Sequence, residues 1–204
     1  LGLPAVRSVR ASGPAATRQV GLTVASEDPV VLADTARLLS RHGARATFFA
    51  PSAILEGVPD LREILSAAGE VGNGGTGRSV ARLAGVRHLE QEIAAGRAQT
   101  QRASGHTPAF YLPVDATLTP AAYLAASRQH QLAVVGSRRL RTAGDLRRPL
   151  RRGDVAVADL RGDTPGQARD LMLMLLRQTA GDDLQVVDLS EARGPEWRSG
   201  RSVR

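Results

Sequence analysis

The sequence predicts a parallel α/β fold, and three observations carry it. Short apolar runs alternate along the chain with segments of helical spacing. The helical segments open on capping residues followed by proline and close on glycine. Six or seven such β-α units follow one another, which argues for a parallel sheet, open or closed into a barrel. In either form a site belongs at the C-terminal ends of the strands.

Taken in order, "VGLTVA" (20–25) reads as a buried strand that breaks into Ser26, Glu27, Asp28 and Pro29. Asp28 as N-cap with Pro29 behind it opens a helix that Gly43 closes. "ARATFFA" (44–50) is the next strand, and "PDLREILSAAG" (59–69) a short helix that leads through "EVGN" to a glycine-rich turn. Val86, Leu89 and Ile93 share one face of a helix over 86–104. "AFYLP" (109–113) is a strand, and Thr119 with Pro120 caps the helix after it. "LAVVGS" (132–137) is a strand that runs into an arginine-rich segment, and "DVAVADL" (154–160) is another. Thr164 and Pro165 open a helix whose Met172 and Met174 read as core, and "LQVVDLSEA" (184–192) closes the fold.

A chain of 204 residues is long enough for one domain with a sizeable core. Aromatics at 3% leave little for stacking on sugars or bases. Without cysteine, disulfides and thiolate metal sites are excluded, and the redox compartment is undecided. No apolar stretch is long enough to span a bilayer. The chain opens on Leu1, which is compatible with a signal peptide or anchor ahead of it.

The net charge of +7 is unevenly placed, and every basic residue is Arg. Residues 1–18 carry three arginines and no acid, and residues 193–204 carry four arginines and one acid. They read as a basic extension and a basic tail on a domain spanning 19–192. Within that domain, Arg138, Arg139, Arg141, Arg147, Arg148, Arg151 and Arg152 stand against Asp145 alone over residues 138–152. Such a run either binds an anionic polymer or is a solvated loop paired with the acidic remainder of the body, and charge runs favour the second. No nucleic-acid motif accompanies it.

Four stretches together resemble the polysaccharide deacetylase family (the NodB-homology domain, carbohydrate esterase family 4). They are "RHGARATFFA", "LREILSAAGEVGN", "SGHTPAFYLP" and "LQVVDLSEA", and the likeness covers roughly residues 19–192. It implies an irregular (β/α) barrel of about seven parallel strands with a divalent metal, usually zinc, and a catalytic Asp in a groove at its top. Laid on the family's first motif, the base position is Ala25 and a metal position Ser26. The two histidine positions fall on Gly74 and Arg78, the third-motif arginine on Tyr111, the pocket tryptophan near Gly136, and the late histidine on Asp159. All depart from the family pattern together. Ala and Gly offer no donor, and Arg78 sets a fixed positive charge where a cation would lie. With no base at Ala25, nothing local takes a proton from water.

The resemblance therefore implies a pseudoenzyme: a domain without metal-dependent deacetylation that binds or scaffolds, with cell-wall or other glycan as ligand, no cofactor, and an extracellular or cell-envelope location. It also implies that positions 25, 26, 74 and 78 face one groove, with a positive φ at Gly74 as the obstacle to restoring histidine there. One alternative is a hydrolase of amide bonds in an acetylated polysaccharide with rebuilt chemistry. For that, Glu27 or Asp28 with Asp159 would offer oxygen ligands, and Asp115 joins the groove candidates. The other alternative is a basic adaptor for anionic polymers. Ser26 as a nucleophile needs a base, and His42, His88, His106 and His130 fall in helices or back-side turns. Gly72, Gly74, Gly75 and Gly77 lack the Lys-Ser/Thr of a phosphate loop and read as a turn.

Overall fold

The computed structural model describes residues 8–10, 18–77, 85–113 and 118–193. Its strands are β1 (Ser8–Arg10), β2 (Gln19–Ala25), β3 (Ala46–Ala50), β4 (Gly69–Asn73), β5 (Phe110–Tyr111), β6 (Leu132–Val135), β7 (Arg138–Leu140), β8 (Val155–Asp159) and β9 (Gln185–Val187). Its α-helices are α1 (Pro29–Arg41), α2 (Ser52–Gly57), α3 (Pro59–Ala68), α4 (Val86–Ser104), α5 (Pro120–Arg128), α6 (Pro165–Gly181) and α7 (Leu189–Ala192). A 3-10 helix covers Ala143–Arg147.

The helix starts follow from side-chain chemistry. Asp28 accepts from the backbone N–H of Val30 at 2.7 Å and of Val31 at 3.3 Å. Thr119 accepts from Ala122 N–H at 3.1 Å. Thr164 and Gln167 form a reciprocal capping box at the start of α6. The helix α2 has no such signal: Pro51 precedes it without a side-chain cap and it ends after six residues.

Every strand pair is parallel, and the sheet runs β1-β6-β5-β4-β3-β2-β8-β7, with β9 beside the first half of β2. Only Gly136 and Ser137 separate β6 from β7. Yet β6 pairs with β5 and β7 with β8, four steps away along the sheet through β4, β3 and β2. Two residues span that gap only if the sheet curls round on itself. The result is an irregular (β/α) barrel whose seven strands β2 to β8 follow sequence order.

Three apolar clusters fit this curl. Leu22, Val24 and Phe48 point outward and pack with Leu32, Leu39, Leu61 and Met172 under α1, α3 and α6. Ala25, Phe49, Phe110, Leu112, Val155 and Val157 fill the interior, with Leu189 of α7 plugging the N-terminal end. Leu89 and Ile93 of α4 and Ala125 of α5 cover Tyr111 and Ala133. Met174 is 42% exposed, whereas Met172 is fully buried. Positions two apart on a helix face nearly opposite ways, so the reading of both as core is corrected.

The arginine-rich segment is also more structured than a solvated loop. It contains β7, whose Arg139 and Leu140 sit opposite Val157 and Ala158. Residues 8–10, assigned on charge to the basic extension, pair with Ala133, Val134 and Val135 as an edge strand.

Candidate functional site

The C-terminal ends of the strands bring Ala25, Ser26, Gly74, Phe49, Leu112 and Arg161 around one cavity of about 10 Å³. That is room for a single water molecule. Ala25 ends β2 and lies in register with Phe49 on one side and Asp159 on the other. Ser26 is buried, and its hydroxyl accepts the Asp28 N–H at 3.2 Å, which fixes the turn into α1. Asp28 is committed to capping, and exposed Glu27 stands at the rim.

Gly74 follows β4, and its backbone lies against β3. A Cβ there would sit 2.5 Å from the Ala50 carbonyl oxygen and 2.8 Å from its carbon. The expected obstacle was a positive φ, but Gly74 is not among the positive-φ glycines. The real obstacle is steric: any side chain must push backbone aside. Gly72 is similar, with a Cβ position 2.2 Å from the Phe49 ring. Phe49 thus occupies interior space that a side chain at 72 would need.

Asp159 ends β8 with its carboxylate only 4% exposed. Arg161 donates Nε to Oδ1 at 2.6 Å and Nη2 to Oδ2 at 2.7 Å. Arg139 donates to Oδ2 at 2.7 Å, and Arg141 through Nε at 3.1 Å. Burial alone would raise this carboxyl, but the hydrogen bonds from Arg161 and Arg139 outweigh it and hold it well below the usual range. Asp163, nearby, is pushed up by burial and by the Asp159 charge. Asp159 therefore serves as a fixed anion that gathers three guanidiniums, neither a proton donor nor a free ligand. That contradicts its reading as an oxygen ligand beside Glu27 or Asp28.

Tyr111 is corrected too. Phe110 and Leu112 face the interior, so the residue between them faces out, and Tyr111 packs with α4 and α5. Arg78 and Asp115 lie outside the described residues. All four histidines are exposed, at the ends of helices or in the turns after them. The glycine-rich turn spends its donors internally: Gly75 N–H binds the Asn73 carboxamide at 2.9 Å and Thr76 N–H binds Glu92 at 3.2 Å. It offers no phosphate cradle at those positions.

The seven arginines of residues 138–152 divide by position. Arg139 and Arg141 join Asp159 at the mouth. Arg138 donates to the carbonyls of Asp145, Arg148 and Pro149. Arg147, Arg148, Arg151 and Arg152 are exposed on the connection back to the start of β8, at the opposite end of the barrel. Sequence reasoning missed Arg161 and Phe49. Arg161 stands two positions beyond Asp159, a spacing that marks nothing until the strand end is known.

The resemblance implies a metal, and the residues present do not fit one. Ala25 and Gly74 have no donor, the Ser26 hydroxyl holds a turn, and Asp159 is engaged by arginine. Among the described residues no group of three His, Cys, Asp or Glu side chains could hold a metal ion.

No protein-family profile and no curated protein sequence matches this chain. Solved structures do. A peptidoglycan N-acetylglucosamine deacetylase superposes with a TM-score of 0.74 at 18% identity, over 89% of this chain and 90% of that one. A CE4 family pseudoenzyme from Bacillus anthracis superposes with a TM-score of 0.73 at 13% identity, over 89% and 67%. A family 4 carbohydrate esterase from Streptomyces lividans gives 0.71 at 20% identity, over 82% and 91%. At such identities the likeness is one of fold: the chain has the polysaccharide-deacetylase-like barrel.

Proposed function

We propose that this barrel has lost metal-dependent deacetylation and acts as a binding module, with cell-envelope glycan as its ligand. The observation that carries the reading is the contact of Gly74 with the Ala50 backbone. It leaves no volume for a ligating side chain on the β4 side of the mouth. On the β8 side, the buried carboxylate of Asp159 is clasped by three arginines. Hydrolysis of an amide by this fold needs about three protein ligands and an open metal position. The neighbours in structure include a pseudoenzyme beside active deacetylases, so the same barrel is known in both conditions.

The test is metal content and acetate release together. Protein purified without chelator is expected to hold no stoichiometric zinc and to release no acetate from N-acetylglucosamine oligomers with zinc added. Binding to insoluble peptidoglycan is expected in a sedimentation assay. Zinc near one equivalent together with acetate release would reject the loss of activity. Absence of sedimentation would reject the glycan ligand.

A further inference from the structure

We propose that residues 147–152 form a docking strip for a linear, base-free phosphodiester polymer, at the end of the barrel opposite the mouth. It goes beyond the function proposed above and stands or falls independently of it.

Four guanidiniums carry the argument. Arg147, Arg148, Arg151 and Arg152 are exposed, and none has a carboxylate partner among the described residues. The nearby acids are otherwise occupied. Asp145 accepts the backbone N–H groups of Arg141 and Thr142 at 2.8 and 2.9 Å. Asp154 accepts the Ser137 hydroxyl and the Arg151 backbone N–H at 2.9 and 2.8 Å. These bonds shape the loop and leave the arginine heads to solvent.

The loop is also held in place. Leu146 and Leu150 are 4% and 3% exposed and anchor it on both sides of Arg147 and Arg148. Arg138 staples it from beneath through three carbonyls. Gln178 of α6 donates to the Leu146 carbonyl at 2.7 Å. Four cations on a braced loop lose little backbone freedom on binding, so repeated anions gain from all of them at once.

The surroundings select the polymer. No described Phe, Tyr or Trp is exposed and no histidine lies in this loop, so there is no platform for bases. Among the described residues the exposed large apolar ones are Val30, Val58, Val135 and Met174, none of them in this loop, so nothing there wedges into a lipid surface. What remains is charge read along a backbone, which fits a phosphate repeat without bases.

The probe is poly(glycerol phosphate), titrated into the full chain from about 50 to about 200 mM salt. Affinity should fall steeply with salt. In R147S/R148S/R151S/R152S the slope of log K against log salt should become shallower by about 3, at about 0.7 per phosphate contact. The double variants R147S/R148S and R151S/R152S should each lose about half of that, so a folding defect in the quadruple variant leaves the test intact. Replacement of all four by Lys should retain binding. Binding unchanged in the Ser variants, carried by the terminal arginines, would overturn the proposal. So would tighter binding to oligothymidylate of equal charge or to phosphatidylglycerol vesicles.

Discussion

At Gly74 a hypothetical Cβ lies 2.5 Å from the Ala50 carbonyl oxygen, and real Cβ atoms do not approach backbone so closely. The missing side chain is thus part of how β4 leaves the sheet. Gly74→Ala should cost roughly 1–3 kcal/mol, because the atom that must yield belongs to a paired strand. Urea unfolding measures it, and a midpoint equal to the parent's would show that the strand ends separate freely. Gly74→His, the change that restoration of a metal site requires, should do worse still and fail to gain zinc affinity by calorimetry. Asp159 shows the same logic in charge. A carboxylate buried among three arginines keeps its proton off, and removing it would leave guanidiniums crowded at the mouth.

Among elements, the join of β3, β4 and α7 holds a half-buried acid, Glu70, near the buried Asp188. Glu70 accepts the Thr47 hydroxyl at 2.6 Å and the Ser190 N–H and hydroxyl at 3.1 and 2.6 Å. Burial raises its carboxyl above the ordinary value of 4.5, although the Ser190 and Thr47 bonds pull the other way. A raised folded value means that the folded state binds the proton more tightly than the unfolded chain. Stability contributed here therefore falls as pH rises between 4.5 and the folded value. Glu70→Gln keeps the shape without the charge. It should be more stable than the parent near pH 8, with the gain shrinking towards about pH 4, as read from denaturation midpoints. A variant equally destabilised at both would mean that the carboxylate's three hydrogen bonds outweigh its burial.

For the molecule as a whole, closure depends on the two residues between β6 and β7. A Cβ on Gly136 would meet Val157 Cγ2 at 2.4 Å and the Val155 carbonyl oxygen at 3.0 Å. The chain passes from β6, beside β5, to β7, beside β8, through this close approach. Gly136→Val should lower stability by roughly 1–3 kcal/mol and speed amide exchange in both β6 and β8. Faster exchange confined to residues 141–152 would show that closure does not run through this point. The same curl separates the arginines of one sequence run, with Arg139 and Arg141 at the mouth and Arg147 to Arg152 at the far end.

The sequence by itself determined the alternation of the main strands and helices and the capped starts of α1, α5 and α6, but not β1, α2 or β7. Those are written locally: period, cap and proline all lie within a dozen residues. It also showed that Ala25 and Gly74 carry no donor atom, because residue type alone settles that chemistry. Tertiary structure decided what each position faces. Tyr111 turns outward because Phe110 and Leu112 take the interior, a matter of strand register. The seven arginines divide because partners such as Asp159 stand up to twenty residues from them in sequence and adjacent in space. The clash that bars Gly74 comes from β3, twenty-four residues earlier. Residue type is a property of one position, whereas volume, facing and pairing belong to the strands that the curl brings together.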